Sequence, residues 1–191
     1  MELIEKTISS RTLYKGRILN LKVDEVTLPN GGTSVREVIA HGGAAAVAAF
    51  DEEGKLLLVR QYRYPVGAAL TELPAGKLEP GEAPETGAAR ELEEETGYRC
   101  GRLLPLGRYL PAAAYDTEVI HLYLAQEVTV SHQKLDEDEF LSLVRMPFEE
   151  AVQKVLDGEI EDGKTIAGIL KIKALTDAGR LPLNSNSPAN R

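Results

Sequence analysis

The sequence predicts an α/β (α+β) chain: a mixed sheet covered by helices on its faces, preceded by a small N-terminal β-hairpin unit. Three observations carry this. Strand-type runs come first, one helix bounded by Pro84 and Gly97 interrupts them, and two segments of helical apolar spacing close the chain. At 191 residues it can build one core with an appendage, but not two full domains. The organisation expected is an N-terminal β unit over residues 1–42, a main domain over 43–178 and a flexible tail over 179–191.

In chain order, residues 17–40 alternate polar and apolar positions around "LPNGG", with Leu19, Leu21 and Val23 before the turn and Val35 after it, the pattern of a hairpin. "GGAAAVAAF" (42–50) and "KLLLVR" (55–60) are short apolar runs split by "DEEG", which suits two buried strands joined by a tight turn. A helix is predicted from Pro84, fit for a first turn, to Thr96, with Gly97 placed to stop it. "VIHLYLAQ" (119–126) and "FLSLVRM" (140–146) read as strands. Phe148, Val152, Val155 and Leu156 fall at helical intervals, as do Ile166, Ile169, Leu170 and Ala174. The tail "PLNSNSPANR" has no apolar period and reads as mobile.

Composition narrows the function. With 43% hydrophobic and 27% charged residues the chain is ordinary globular material. A net charge of -8 leaves no basic field for a nucleic-acid polymer, so no such partner is expected. Cys100 is the only cysteine, which rules out an intrachain disulfide and fits a cytoplasmic location. The N-terminus lacks a signal-peptide pattern and no apolar run approaches bilayer length, so no membrane association is expected.

The chemistry lies in "GKLEPGEAPETGAARELEEETGY", residues 76–98, which sets seven glutamates in one stretch. With Ala88 as zero, Leu92 falls at about 40°, Glu95 at about 340°, Glu91 at about 300° and Glu94 at about 240° around the helix. Glu91 and Glu95 therefore border the buried stripe, while Glu94 points further outward. Half-desolvated carboxylates of like charge need a cation, and oxygen ligands favour magnesium, manganese or calcium over zinc. Acidic runs on helices are more often solvated faces, so the spacing by itself leaves both readings open.

Gly76, Glu82, Arg90, Glu91, Leu92, Glu94, Glu95 and Gly97 match the Nudix box, G-x5-E-x7-R-E-U-x-E-E-x-G-U, with Tyr98 at the usually aliphatic last position. The chain thus resembles a Nudix hydrolase. The resemblance implies a Nudix α/β/α sandwich and makes Glu91, Glu95 and the Ala75 carbonyl the expected ligands of Mg2+ or Mn2+, with two or more ions per site. Arg90 would orient the acids, Glu94 among them.

"VRQYRYPVG", "TELPAGKLEPGE", "KLDEDEF" and the N-terminal hairpin are similar to the ADP-ribose pyrophosphatase branch. That likeness implies hydrolysis of ADP-ribose, or a related nucleoside diphosphate sugar, to AMP and ribose 5-phosphate. It also implies a homodimer formed through the N-terminal unit, which would help build the partner's site. Arg63 would hold the phosphate or ribose side, and Arg36 with Glu37 the adenine. In the loop 136–139, Glu137 matches the general base, and Glu139 a further metal ligand or alternate base. The metals would clamp phosphate oxygens and activate a water whose proton a carboxylate takes. "LPAAAYDTEV" (110–119) departs from the branch's "PSPG"-like turn, which leaves the sugar preference open. The alternatives are a hydrolase of another such sugar, for example GDP-mannose, and a non-catalytic ADP-ribose sensor. Such sensors usually lose box acids, and all are present here.

"GEIEDGKT" (158–165) satisfies the P-loop pattern G-x-x-x-x-G-K-[ST]. A P-loop follows a buried strand, whereas this segment follows a helical run and carries Glu159, Glu161 and Asp162, which would repel phosphates. It is read as a decoy.

Overall fold

The structure, a computed structural model, describes residues 3–135, 137 and 139–181. The expected tail therefore lies, from residue 182 on, outside the described residues. The chain forms two compact units: one runs to Gly43 and includes Leu110–Val119, the other comprises Ala44–Tyr109 and the chain from Ile120 on.

The first unit is a three-stranded antiparallel sheet, β1 (Lys6–Lys15), β2 (Asn20–Thr27) and β3 (Thr33–Ile39), in the order β1-β2-β3. The β2–β3 pair is the hairpin read from the sequence, turned through Gly31 at φ 85. β1 was not anticipated: all ten of its residues are exposed, so it shows no buried alternation to recognise. The segment Leu110–Val119 joins this unit through Ile39, whose N–H donates to Tyr115 O at 2.7 Å and whose carbonyl accepts Thr117 N–H at 3.0 Å.

The second unit holds the site. In chain order its elements begin with β4 (Ala44–Ala48), β5 (Lys55–Arg63), β6 (Ala68–Glu72), β7 (Ala75–Lys77), α1 (Pro84–Thr96) and β8 (Tyr98–Arg99). They continue with β9 (Arg102–Tyr109), β10 (Ile120–Gln126), β11 (Thr129–Val130), β12 (Leu141–Pro147), α2 (Phe148–Leu156) and α3 (Gly163–Asp177). A mixed sheet runs β7-β4-β10-β9, parallel only between β4 and β10, beside an antiparallel sheet β12-β5-β6. β8 and β11 form a small separate pair.

The alanine run of β4 splits the core by strand alternation. Ala45, Val47 and Ala49 face a cluster with Ala88 and Leu92 of α1, while Ala44, Ala46 and Ala48 face Val152, Ile169 and Ile172 of α2 and α3. This is the α/β/α sandwich. The small side chains of β4 let α1 lie close above the sheet.

Two closing helices form where the apolar periodicity placed them, but the buried faces are rotated slightly. Leu156 and Leu170 are exposed, and Ile172 is buried instead. β9 also escaped the sequence reading. It is an edge strand carrying Pro105 and Gly107, which an edge position tolerates and a local strand pattern does not advertise.

Candidate active site

α1 spans Pro84–Thr96, with Pro84 in its first turn and Gly97 in the left-handed conformation at φ 73 after its last. Its inner stripe is Ala88 and Leu92, both fully buried, and Glu91 and Glu95 are buried on the edge of that stripe. Glu94, one position further round, is half-buried. The rotation read from the sequence is thus the one observed.

Arg90 organises this edge. Its Nε donates to Glu82 Oε1 at 3.0 Å and its Nη2 to Glu82 Oε2 at 3.1 Å, while its Nη1 donates to Glu91 Oε1 at 2.7 Å and Glu94 Oε2 at 2.9 Å. A planar guanidinium can serve three carboxylates at once because its donors diverge in one plane. The hydrogen bond from Arg90 lowers the Glu82 pKa. Glu91 is pushed up by burial, which outweighs the hydrogen bond and charge of Arg90, with Glu94 and Glu139 adding like charge. Glu95 is pushed up to about 8, first by burial and then by the charges of Glu91 and Glu139, against a hydrogen bond from Ala75.

β7 lies against this edge. Ala75 N–H donates to Glu95 Oε2 at 2.9 Å, which directs the residue expected to supply a carbonyl ligand toward one expected to supply a carboxylate. Gly76 leaves the room that Glu91 occupies: a Cβ there would lie 2.0 Å from Glu91 Oε1, so a larger residue would displace that carboxylate.

The acidic loop is brought to α1 by a docking segment that local sequence patterns do not reveal. Lys134 N–H donates to Glu94 O at 3.0 Å, Ser131 N–H to Gly97 O at 2.6 Å and Gln133 Nε2 to Glu95 O at 2.6 Å. These bonds satisfy carbonyls that a helix end leaves without partners. Beyond the segment, Glu137 and Glu139 are exposed, and Glu139 lies within electrostatic reach of both Glu91 and Glu95. Asp136 and Asp138 fall outside the described residues. An open groove of about 390 Å³, lined by Gln61, Tyr62, Phe140 and Ser142 among others, adjoins Glu139.

Arg63 ends β5 in a two-pronged bond to Glu72, Nε to Oε1 and Nη2 to Oε2, both at 2.7 Å. Glu72 is buried, and burial alone would raise its pKa, but the Arg63 hydrogen bond and the charge of Lys164 lower it on balance. Glu72 was not singled out from the sequence. The available signal was a lone acid, in "TELPAG", within a segment otherwise reading as buried strand.

Arg36 and Glu37 lie in the first unit as neighbours on β3, and therefore point to opposite faces of it. Arg36 grips Glu5, Nε to Oε2 at 2.9 Å and Nη2 to Oε1 at 2.5 Å, while Glu37 is exposed. The P-loop reading finds no cradle. The segment before α3 is not a strand, and Lys164 and Thr165 are buried in protein contacts.

Among the described residues no three acidic, histidine or cysteine side chains already converge as a ligand set. The donors nevertheless fit a hard divalent cation. They are all oxygens, two of them belong to buried carboxylates with raised pKa values, and one guanidinium is shared among Glu82, Glu91 and Glu94.

A helix-borne carboxylate edge laid on a mixed sheet, with its arginine organiser and with Glu139 within electrostatic reach, defines a hydrolase domain of the Nudix type. The chain belongs to the Nudix family: residues 40–168 match the NUDIX domain, and residues 5–39 match the nucleoside diphosphate sugar hydrolase N-terminal domain. It is 44% identical over 167 residues to the methanol dehydrogenase activator of Bacillus methanolicus, covering 86% of this chain and 90% of the relative. It is 43% identical over 167 residues to the ADP-ribose pyrophosphatase of Bacillus subtilis (strain 168), again covering 86% and 90%. A crystal structure of an ADP compounds hydrolase shares the fold at a TM-score of 0.79 and 21% identity, covering 93% of this chain and 97% of that one.

Proposed function

We propose that this Nudix hydrolase cleaves the pyrophosphate bond of ADP-ribose, or of a closely related nucleoside diphosphate sugar, to give AMP and ribose 5-phosphate. One observation carries the reading: Glu91 and Glu95 are buried side by side with raised pKa values and too little positive charge to match them. Mg2+ or Mn2+, as two or more ions held by Glu91, Glu95, the Ala75 carbonyl and Glu139, would supply the Lewis acidity and the missing positive charge.

The chain's own residues do the rest. Arg90 holds Glu91 and Glu94 in place, so they need not reorganise as charge grows on the substrate. The loop carrying Glu137 and Glu139 supplies the base that takes the proton of the attacking water. Arg63 presents a guanidinium to the phosphate or ribose side, with Nη1 lying outside its bond to Glu72. Arg36 and Glu37 are assigned to the adenine, within a homodimer made through the first unit. Exposed Ile8, Leu13 and Tyr14 on β1 and Val35 on β3 support that dimer, since an exposed strand with apolar side chains is an open pairing surface. A cytoplasmic location belongs to the same reading and is supported by the single thiol.

The test is a metal-dependent assay across ADP-ribose, GDP-mannose, NADH and dinucleoside polyphosphates, with Glu95→Gln as control. ADP-ribose should be hydrolysed best, with AMP and ribose 5-phosphate as products. Turnover of another compound with ADP-ribose untouched would overturn the substrate assignment, and no turnover of any would overturn the enzyme.

A further inference from the structure

The segment that imitates a P-loop folds into something else. Asp162 caps α3, its Oδ2 accepting Thr165 N–H at 3.0 Å and the Thr165 hydroxyl at 2.5 Å. Lys164 is buried, and its Nζ pairs with Asp162 Oδ2 at 3.0 Å and with Glu72 Oε2. Thr165 is fully buried, and its Oγ1 accepts Leu73 N–H at 2.8 Å. α3 presses closely here, since a Cβ on Gly168 would lie 2.6 Å from Leu73 Cδ1. The first turn of α3 therefore grips two consecutive residues, Glu72 and Leu73.

Those residues open a run, Glu72 to Ala75, whose members are tied in turn to Arg63, to α3, to the sheet and to Glu95. Glu72 holds Arg63 by both prongs. Pro74 O accepts Val47 N–H at 3.0 Å, and Ala75 N–H donates to Glu95 Oε2 at 2.9 Å. Glu72 Oε2 is shared by Arg63 and Lys164, so Lys164 restricts rotation of the carboxylate that aims the guanidinium. Thr165 fixes Leu73 N–H, which would otherwise be an unpaired donor two residues before the Ala75 carbonyl.

We propose that Lys164 and Thr165 are positioning residues for the hydrolytic site: Lys164 aims Arg63 through Glu72, and Thr165 sets the Ala75 carbonyl through Leu73. This rests on the reading that Arg63 meets substrate and that Ala75 and Glu95 hold metal. Neither residue touches substrate. Lys164 acts through one side chain and Thr165 through the short backbone run from Leu73 to Ala75, in the manner of outer-shell partners whose loss typically costs about 10–100-fold in affinity or activity.

The two arms have different readouts. Lys164→Met, which keeps the aliphatic stem, should raise KM about tenfold while kcat and Mn2+ affinity stay within about twofold. Thr165→Val, which keeps the shape and removes the hydroxyl, should weaken Mn2+ binding about tenfold by electron paramagnetic resonance of the free ion, and Thr165→Ser should restore it. A purely structural role would lower the melting temperature and leave KM and the Mn2+ dissociation constant of the folded fraction unchanged, and that result overturns the proposal. If Lys164→Met does not fold, Lys164→Gln is read in its place by the same criterion. Absence of Mn2+ binding in the unaltered protein would instead overturn the metal reading itself, and this inference with it.

Discussion

Two charge clusters in the same unit are built on opposite terms. Around Arg90, one guanidinium serves Glu82, Glu91 and Glu94, and buried Glu95 accepts a backbone N–H from Ala75 and feels the charge of Arg63, which is bonded to Glu72. Around Glu72, two cations, Arg63 and Lys164, face two carboxylates, Glu72 and Asp162. Each cluster holds a buried carboxylate, yet Glu95 is pushed up to about 8 and Glu72 is lowered. Burial therefore does not decide which way a carboxylate shifts here; the local supply of positive charge does. The balanced cluster is complete as protein, and on the proposed reading the unbalanced one takes a cation from solution.

The largest effect is expected at Glu95. Glu95→Gln should cost at least about 10³-fold in kcat/KM, on the order of 4 kcal/mol of transition-state stabilisation, with the fold intact by circular dichroism. A loss below tenfold would show that the surplus charge is not what the reaction uses. Next in size is Gly76→Ala, whose Cβ would lie 2.0 Å from Glu91 Oε1. It should lower kcat/KM about 10²-fold and destabilise the protein by about 1–3 kcal/mol, read by steady-state kinetics and urea unfolding. Wild-type kinetics in that variant would mean Glu91 is free to swing away without consequence.

Stability against pH sharpens the contrast. The Glu95 pKa is raised in the folded state, so its contribution is fully present below the unfolded value near 4.5 and is lost as pH rises through about 8. Metal-free protein should therefore lose several degrees of melting temperature between about pH 5 and pH 8 relative to Glu95→Gln, and saturating Mg2+ should restore them. A constant difference between the two proteins across that range would contradict the shift. The smallest effect is at Tyr98, where the box usually carries an aliphatic residue. Its hydroxyl meets Arg145 Nη2, and Arg145 lies 5.4 Å from the ring centroid. Tyr98→Phe should cost about 1 kcal/mol in chemical denaturation and leave kcat and KM unchanged.

Much of the unbalanced cluster was legible in the sequence because it is local. Pro84 and Gly97 set the ends of α1, and helical rotation placed Glu91 and Glu95 beside Ala88 and Leu92. The balanced cluster was not legible, because Glu72 and Lys164 are 92 residues apart and neither sits in a periodic pattern that demands the other. The same holds for Gln133 and Glu95, 38 residues apart, whose bond delivers the acidic loop to the helix end. Among the strands, β1 was hidden by having no buried face and β9 by its internal Pro105 and Gly107. Local order was readable from spacing, whereas tertiary pairing required the fold.

Titration of Mn2+ or Mg2+ into the metal-free protein near pH 7, by calorimetry in buffers of different ionisation enthalpy, reads the charge shortfall at Glu95 itself. Binding should release close to one proton per site as Glu95 ionises, and Glu95→Gln should abolish both the proton release and the tight binding. A preparation that hydrolyses substrate yet binds no divalent ion beside Glu91 and Glu95, and releases no proton, would contradict the account.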